Sequence, residues 1–168
     1  MYPEPTNIWE TIEYSRLGTT VAESTWMFPT LETIHVIALV TVIGTIAIVD
    51  LRLVGLASRA HRVSLLAKDT LPWTWGAFVL AAITGGLLFI SKASSYMINP
   101  YFLVKMGLMA LAGINMLYFH TTTWRSVEQW ESGEYPKAAK VAGWASLIFW
   151  IGIVFCGRAI GFTLGIYF

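Results

Sequence analysis

Charged residues are scarce in this sequence of 168 residues, which has a formal net charge of +1. They make up 12% of the chain, whereas about 25% is usual in soluble domains. A nucleic-acid partner calls for a clustered basic face, and a nearly neutral chain argues against one. Apolar residues account for 56%, and this excess indicates an integral membrane protein.

Cysteine is nearly absent as well, because Cys156 is the single thiol in the chain. One thiol excludes an internal disulfide framework, a CxxC redox pair and c-type haem attachment. Its apolar surroundings are typical of a small core residue. A Walker loop, a nucleophile elbow and an HExxH zinc motif are all missing. The sequence therefore leaves open whether the protein is an enzyme.

Long apolar stretches, in contrast, are abundant. Four of them reach the roughly 20 residues that a helix needs to cross a ~30 Å hydrocarbon layer. Pro29 and Pro72 each suit an early helix position, where a missing N–H has no partner to lose. The sequence predicts an all-α integral membrane four-helix bundle that forms one domain over residues 1–168, with spans at about 30–57, 73–93, 101–121 and 138–162.

The first 28 residues are polar enough to lie outside the hydrocarbon layer, yet they are rich in aromatic residues. Asn7 followed by Glu10 has the spacing of an N-cap and its N3 partner. Ile8 and Ile12 give the next turns an apolar face, and Trp and Tyr favour the headgroup level. We expect residues 1–28 to form a surface segment with a short interfacial helix that ends near Gly18.

The distribution of Lys and Arg predicts the orientation of the bundle. The connectors after the first and third spans, with the adjoining helix ends, carry most of these residues: Arg52, Arg59, Arg62, Lys68, Arg125, Lys137 and Lys140. The opposite side has Arg16 in its tail, and its other cations lie slightly inside helix ends. Both termini are therefore predicted to lie on the non-cytoplasmic side.

Ionisable residues inside spans are costly unless they meet a partner or water, so each is a candidate for function. When helix ends are matched by height, an outer polar cluster contains Glu32, His35, Lys92, Lys105 and Arg158. The inner polar cluster contains Asp50, Arg52, Asn115 and His120. His61 lies beyond the end of the first span, and its distance from His120 stays open. We expect the outer residues to gather in a shared pocket.

Helical phase indicates that some of these side chains point inward. At 100° per residue, five side chains of the third span fall within about an 80° arc: Lys105, Met109, Ala112, Met116 and His120. Each candidate also has a structural interpretation. His35 could be a hydrogen-bonded tie between helices, the long cations could extend to the headgroups, and Asp50 with Arg52 could be an interfacial pair. Methionines at this spacing are more often flexible core residues than metal ligands.

Several short motifs resemble a bacterial family of small four-helix inner-membrane proteins whose function is unknown. They cover nearly the whole chain: Ser24-x-Trp26-x-Phe28-Pro29 before Glu32-x-x-His35, Val49-Asp50-Leu51-Arg52, Leu71-Pro72-Trp73, Thr84-Gly85-Gly86, Asn99-Pro100-x-Phe102-x-x-Lys105 and Gly157-Arg158-x-Ile160. The resemblance implies the bundle and a multi-pass location in the bacterial inner membrane, and it implies no chemistry. A likeness to membrane cytochrome b subunits is an analogy of fold alone.

The favoured function is a small electron-transfer subunit that binds b-type haem or quinone. His35 and His120 are the candidate haem-iron ligands and cofactor-binding residues, with Lys105 and Arg158 as cationic partners of the propionates. The two histidines lie at opposite ends of parallel spans and cannot share one iron. The location implies a lipid bilayer as the surrounding medium.

Two other functions stay open. A non-enzymatic accessory subunit would pack against other membrane subunits or against a second copy, for example through the Gly157 and Gly161 pair of a GxxxG motif. A carrier or sensor for a proton, a metal or a small anion would use Glu32 and His35 at an outward-facing mouth. The apolar middle of the bundle offers no continuous relay for such a carrier.

Overall fold

The computed structural model describes residues 3–57, 60–164 and 166. This part of the chain contains helices and no strand, which confirms the all-α prediction. In chain order its helices are α1 Ile8–Glu13, α2 Arg16–Glu23, α3 Met27–Leu53, α4 Val63–Ser91, α5 Ala93–Ile98, α6 Pro100–Thr121, a 3-10 turn at Trp124–Ser126, α7 Val127–Trp130 and α8 Lys137–Thr163. Arg59, which contributed to the predicted orientation, lies outside the described residues.

Four of these helices, α3, α4, α6 and α8, are long and apolar enough to cross a membrane. α6 and α8 lie within one residue of the predicted spans at 101–121 and 138–162. α3 ends at Leu53, before the predicted limit, because Gly55 follows with a φ of 82°. This left-handed residue ends the helix without the steric cost that a Cβ would bring.

The prediction that Pro72 opens the second span is wrong, because α4 begins at Val63 and continues through the proline. A proline inside a helix removes one N–H from the ladder. Helices that cross membranes tolerate this loss where side-chain hydroxyls and neighbouring helices satisfy nearby backbone groups. Thr70 and Thr74 both donate to carbonyls one turn earlier, at 2.8 and 3.0 Å. Residues 63–72 therefore belong to α4 rather than to a connector.

The long helices follow one another in the spatial order α4, α3, α8, α6. The pairs α3–α4 and α6–α8 form the two extensive interfaces, and α3 also packs against α8. α4 and α6 stand at the two ends of this order and share no interface of comparable extent. The bundle is therefore closed on three sides and less tightly packed on the fourth.

Among the described residues, aromatic and apolar side chains bring α4 and α6 together near both of their ends. At the end where α5 connects them, here named the α5 end, Phe89 of α4 stacks on Phe102 of α6 with ring centroids 5.6 Å apart. At the opposite end, named the α7 end, Val63 of α4 and Phe119 of α6 belong to one buried apolar cluster with Trp130. These two contacts leave the middle of the fourth side open.

The amino-terminal segment contains two helices instead of the single helix predicted. Asn7 is the expected N-cap of α1, and its Oδ1 accepts hydrogen bonds from two backbone N–H groups at 3.0 and 2.9 Å. Ser15 starts α2 by accepting from the N–H of Gly18 at 3.2 Å, so the chain continues as a helix beyond Gly18. Glu13 accepts from the N–H of Ser94 at 3.0 Å and thereby fixes α1 against α5.

A short cap covers the α7 end, formed by the 3-10 turn, α7 and the residues that lead into α8. Glu131 lies just after α7 and is 3% exposed. Its carboxylate accepts hydrogen bonds from Nε of Arg62 at 2.9 Å, from Nη2 of the same side chain, and from the N–H of Ser64 at 3.2 Å. Ser64 is in the first turn of α4. Glu131 therefore joins the cap to the start of α4.

Candidate functional site

A cleft of about 220 Å³ lies between α3, α4, α6 and α8, in the half of the bundle toward the α7 end. Its lining is mostly apolar and includes three tryptophans, Trp75, Trp124 and Trp150. All four long helices contribute polar side chains to it: Thr45, Asp50, Thr70, Thr74, Asn115, His120 and Ser146. Apolar clefts with a few convergent polar groups are the usual form of small-molecule sites.

Asp50 is the most deeply buried ionisable side chain of the cleft, with 6% of its surface exposed. Ser146 on α8 lies beside the carboxyl group of Asp50 in the same lining. One carboxyl oxygen, Oδ2, is buried and has no hydrogen-bond partner. Buried polar atoms are nearly always paired, so Oδ2 is available to a bonding partner in the cleft.

His120 lies on α6 at the exposed side of the cleft. Its Nδ1 is 2.9 Å from the carbonyl oxygen of Met116. A carbonyl only accepts, so Nδ1 carries the proton and Nε2 is the acceptor of the neutral ring. The rings of Phe119 and Trp124 pack beside it, with centroids at 5.5 and 5.6 Å. This packing fixes the orientation of the imidazole while its Nε2 keeps no protein partner among the described residues.

The remaining polar groups tie the walls of the cleft together. Asn115 Nδ2 donates to the carbonyl of Ala142 on α8 at 3.0 Å. The hydroxyls of Thr74 on α4 and Thr45 on α3 are hydrogen-bonded to each other, with their oxygens 2.8 Å apart. Both bonds lie between helices and are satisfied within the protein. Asp50 and His120 are the two ionisable residues of the lining, and each has an atom available to bond a ligand.

The stripe predicted on the third span faces this cleft. Met109, Ala112, Met116 and His120 all line it, whereas Lys105 lies further toward the α5 end and does not. The helical phase is therefore confirmed for four of the five residues. Their shared direction follows from the period of 3.6 residues, which places i, i+3, i+4 and i+7 on one face.

Two members of the outer polar cluster, His35 and Lys105, lie close enough to interact electrostatically. His35 Nδ1 is 3.0 Å from both the carbonyl of Ala81 and the hydroxyl of Thr84 on α4. Its ring packs directly on Gly85, where an added Cβ would be 2.8 Å from Cε1. This geometry matches the structural interpretation of His35 as a tie between α3 and α4.

The other three members are exposed, and neither described pocket contains them together with His35 and Lys105, so the shared pocket stays a prediction. Lys92 is exposed, with its Nζ 5.4 Å from the ring centroid of Phe28. Arg158 is exposed and lies over the ring of Phe162 at 4.4 Å. Glu32 is exposed as well. These side chains share a height along the bundle, but they leave their helices in different directions.

The inner polar cluster is divided in the same way. Asp50, Asn115 and His120 line the cleft. Arg52 points away from it, donating from Nε to the carbonyl of His61 at 2.7 Å and lying over the Tyr135 ring at 4.4 Å. The predicted pair of Asp50 with Arg52 is therefore wrong. His61 is exposed and is not part of the lining.

Sequence reasoning missed Ser146 and the three tryptophans of the cleft. Ser146 and Trp150 are four residues apart on α8 and therefore share a face with each other. That spacing was visible in the sequence, but nothing in it indicated that this face meets Asp50. Within the described residues there is no group of three or more His, Cys, Asp or Glu side chains that could hold a metal ion.

Comparison with known proteins gives one match. The model of a family described as a family of unknown function, DUF6644, matches residues 8–163. No curated protein matches the chain. No solved structure matches it either.

Proposed function

We propose a function for this protein from the premise that the chain belongs to the family of unknown function DUF6644. It is a multi-pass protein of the bacterial inner membrane, and its cleft binds the ring of a quinone or quinol as part of an electron-transfer system. The observation that carries this proposal is the buried Oδ2 of Asp50, which has no partner at the wall of an otherwise apolar cleft.

A membrane location is supported by the outer surface of the bundle. Large apolar side chains are exposed on every long helix: Val40 on α3, Ile83 on α4, Ile114 and Leu117 on α6, Ile151 and Phe155 on α8. In water such a surface would be an aggregation hazard, whereas in hydrocarbon it costs nothing. The excess of Lys and Arg near the α7 end supports a cytoplasmic position for that end, with both termini on the other side.

The two free groups of the cleft suit the hydroxyls of a quinol. His120 Nε2 accepts a hydrogen bond in the neutral ring, and the Asp50 carboxylate accepts through Oδ2. When a quinol is oxidised to a quinone, its ring loses two protons and two electrons. Nε2 and the carboxylate take one proton each, and one-electron acceptors in a partner subunit take the two electrons in two successive one-electron transfers. The aromatic lining holds the flat ring by stacking.

The quinone form of the proposal fits the geometry better than the haem form. His35 packs on Gly85 and bonds to α4, and it does not line the cleft with His120. His120 would therefore be the only histidine ligand there. The cleft volume of about 220 Å³ also falls below the ~300–1,000 Å³ of pockets for drug-sized ligands. A single small ring suits that volume.

Asp50→Asn tests the proposal. We expect it to weaken the binding of a soluble short-chain benzoquinol at least about tenfold, since a hydrogen bond to a charged group contributes about 1.5–3 kcal/mol. Trp75, Trp124 and Trp150 line the cleft, so quenching of tryptophan fluorescence by the quinone form and its competition by the quinol report binding directly. The measurement uses the protein purified in detergent.

Asp69→Asn is the matched control, because Asp69 is exposed on α4 and is not part of the cleft. Thermal unfolding of both variants shows whether either substitution disturbs the fold. Equal affinity of the Asp50 and Asp69 variants for the quinol would refute the proposed role of Asp50. An absence of binding by the unsubstituted protein would refute the proposed function itself.

A further inference from the structure

The exposed residues of the cleft lining all lie on two helices. Trp75 and Phe78 belong to α4, and Gly113, Met116 and His120 belong to α6. The lining residues of α3 and α8 are buried or half-buried. A residue that is both exposed and part of a cleft stands at its mouth. The mouth therefore opens between α4 and α6, and these five residues are named the lateral window.

The position of the window follows from the packing of the bundle. α4 and α6 stand at the two ends of the spatial order and share no extensive interface. The Phe89–Phe102 stack closes the gap at the α5 end, and the cluster containing Val63 and Phe119 closes it at the α7 end. The opening between these contacts faces sideways, toward the hydrocarbon layer in the proposed orientation, and not toward either aqueous side.

We infer that the ligand is lipid-borne: a quinone with a long apolar tail, which enters through the lateral window and leaves its tail there. This inference rests on the proposed function and adds the route and the class of quinone. The rim is suited to hydrocarbon, because Trp75 is 51% exposed, Phe78 37% and Met116 43%. Of the two groups that would bind a polar head, Asp50 lies on the buried wall behind this rim and His120 belongs to the rim itself.

The charge of the lining favours this occupant over a phospholipid. A phosphate is bound by Arg, Lys or groups of backbone N–H donors. None of the described lining residues is Lys or Arg, and the one buried ionisable group among them is the carboxyl of Asp50. A negatively charged headgroup would therefore find no cation in the lining, whereas a neutral quinone or quinol head needs none. An apolar tail in the window then continues directly into the bilayer.

Gly113→Phe tests the window. A Cβ at Gly113 meets no atom within 4 Å, so the larger side chain starts in open space at the rim, and thermal unfolding of the variant checks that the fold is kept. Gly107→Phe is the matched control, since Gly107 is also exposed on α6, is equally free of neighbours, and does not line the cleft. Each variant is placed in phosphatidylcholine vesicles. Tryptophan quenching is then titrated with a long-tailed benzoquinone and with a tailless one.

We expect Gly113→Phe to weaken the affinity for the tailed quinone at least about tenfold. Its affinity for the tailless ring should stay within about threefold of the unsubstituted protein's. Gly107→Phe should leave both affinities unchanged. Unchanged binding of the tailed quinone by the Gly113 variant would overturn the inference. Equal loss of both ligands would also overturn it, because the window would then hold the ring rather than the tail. Binding of the tailless ring but not the tailed one by the unsubstituted protein would overturn the inference and leave the proposed function standing.

Extraction of a phospholipid that the tailed quinone does not displace would show that a lipid occupies the window, and would likewise overturn the inference. If the unsubstituted protein binds neither quinone, the proposed function fails as well. The two failures are therefore distinguishable in one set of titrations.

Discussion

Glu131→Gln lowers the free energy of unfolding by about 1–3 kcal/mol in detergent, as measured by thermal or denaturant unfolding. The carboxylate is buried and accepts hydrogen bonds from Arg62 and from the N–H of Ser64. Hydrogen bonds to a charged group contribute about 1.5–3 kcal/mol, and the half-exposed Arg62 places the pair toward the lower part of that range. The amide keeps the shape but loses the charge, which weakens both contacts.

The same residue predicts how stability depends on pH. The hydrogen bond with Ser64 and then the contacts with Arg62 hold the pKa of Glu131 below its ordinary value of 4.5. A lowered pKa in the folded state means that the unfolded chain binds the proton more tightly. The contribution of Glu131 is therefore complete above about pH 4.5 and is lost as the pH falls through the folded-state pKa. In the Glu131→Gln variant, this part of the acid-induced loss of stability disappears.

Glu128→Gln is the control for both measurements, because Glu128 is exposed on α7, three residues before Glu131. It is expected to unfold within about 0.5 kcal/mol of the unsubstituted protein, as exposed surface substitutions usually do. A Glu131 variant that is as stable as the Glu128 variant at neutral pH would contradict the role of this carboxylate as the tie between the cap and α4.

Gly85→Ala is expected to destabilise the protein by about 1–3 kcal/mol, the usual cost of overpacking a well-packed site. The added Cβ would lie 2.8 Å from Cε1 of His35. The imidazole cannot easily withdraw, because its Nδ1 bonds to the carbonyl of Ala81 and the hydroxyl of Thr84. The substitution therefore separates α3 from α4 or breaks these bonds. Unfolding in detergent measures the loss.

The neighbouring glycine provides a control with the opposite expected sign. A Cβ at Gly86 meets no atom within 4 Å, and alanine is favoured over glycine inside a helix by up to about 1 kcal/mol. Gly86→Ala should therefore be neutral or stabilising. In a His35→Ala background, Gly85→Ala should no longer lower the free energy of unfolding. Persistence of the full cost without the imidazole would show that His35 is not what makes this glycine necessary.

The four long helices could be predicted from sequence because length and apolar composition alone determine which segments can cross hydrocarbon. The limits of α6 and α8 agree for that reason. The start of α4 could not be predicted in the same way. In soluble proteins, a proline such as Pro72 is a strong signal for the start of a helix. Here the helix continues through it, and the hydroxyls of Thr70 and Thr74 bond to backbone carbonyls nearby. The sequence alone does not show those bonds.

The cleft was partly predictable and the outer cluster was not, for one physical reason. Helical phase gives the direction of side chains within a single helix, and it placed Met109, Met116 and His120 on one face correctly. Height along the bundle says nothing about direction, so it could not indicate that Lys92 lies against Phe28 and Arg158 over Phe162. Relating the faces of different helices requires their spatial order, which the sequence does not contain.

The burial of Glu131 could not be predicted from the sequence, because this residue lies in a connector. It stands in a polar connector among other charged residues, and its spacing from Arg62 carries no periodic signal. Its burial depends on α7 and the 3-10 turn, two short elements whose formation follows from the packing of Trp130 against Phe119 and Val63. The tie between Glu131 and α4 is therefore a tertiary feature, and only coordinates reveal it.

The most direct test of the quinone site is the content of the protein as purified from membranes. Solvent extraction of the mildly solubilised protein, followed by ultraviolet difference spectra, measures quinone per chain, and a visible spectrum of the same sample measures haem. If the cleft binds quinone, the unsubstituted protein should contain close to one quinone per chain and show no Soret band. The Asp50→Asn variant should contain much less quinone per chain. A Soret band that disappears with His35→Ala or His120→Ala, or a sample with no more quinone than the Asp50→Asn variant, would contradict the account.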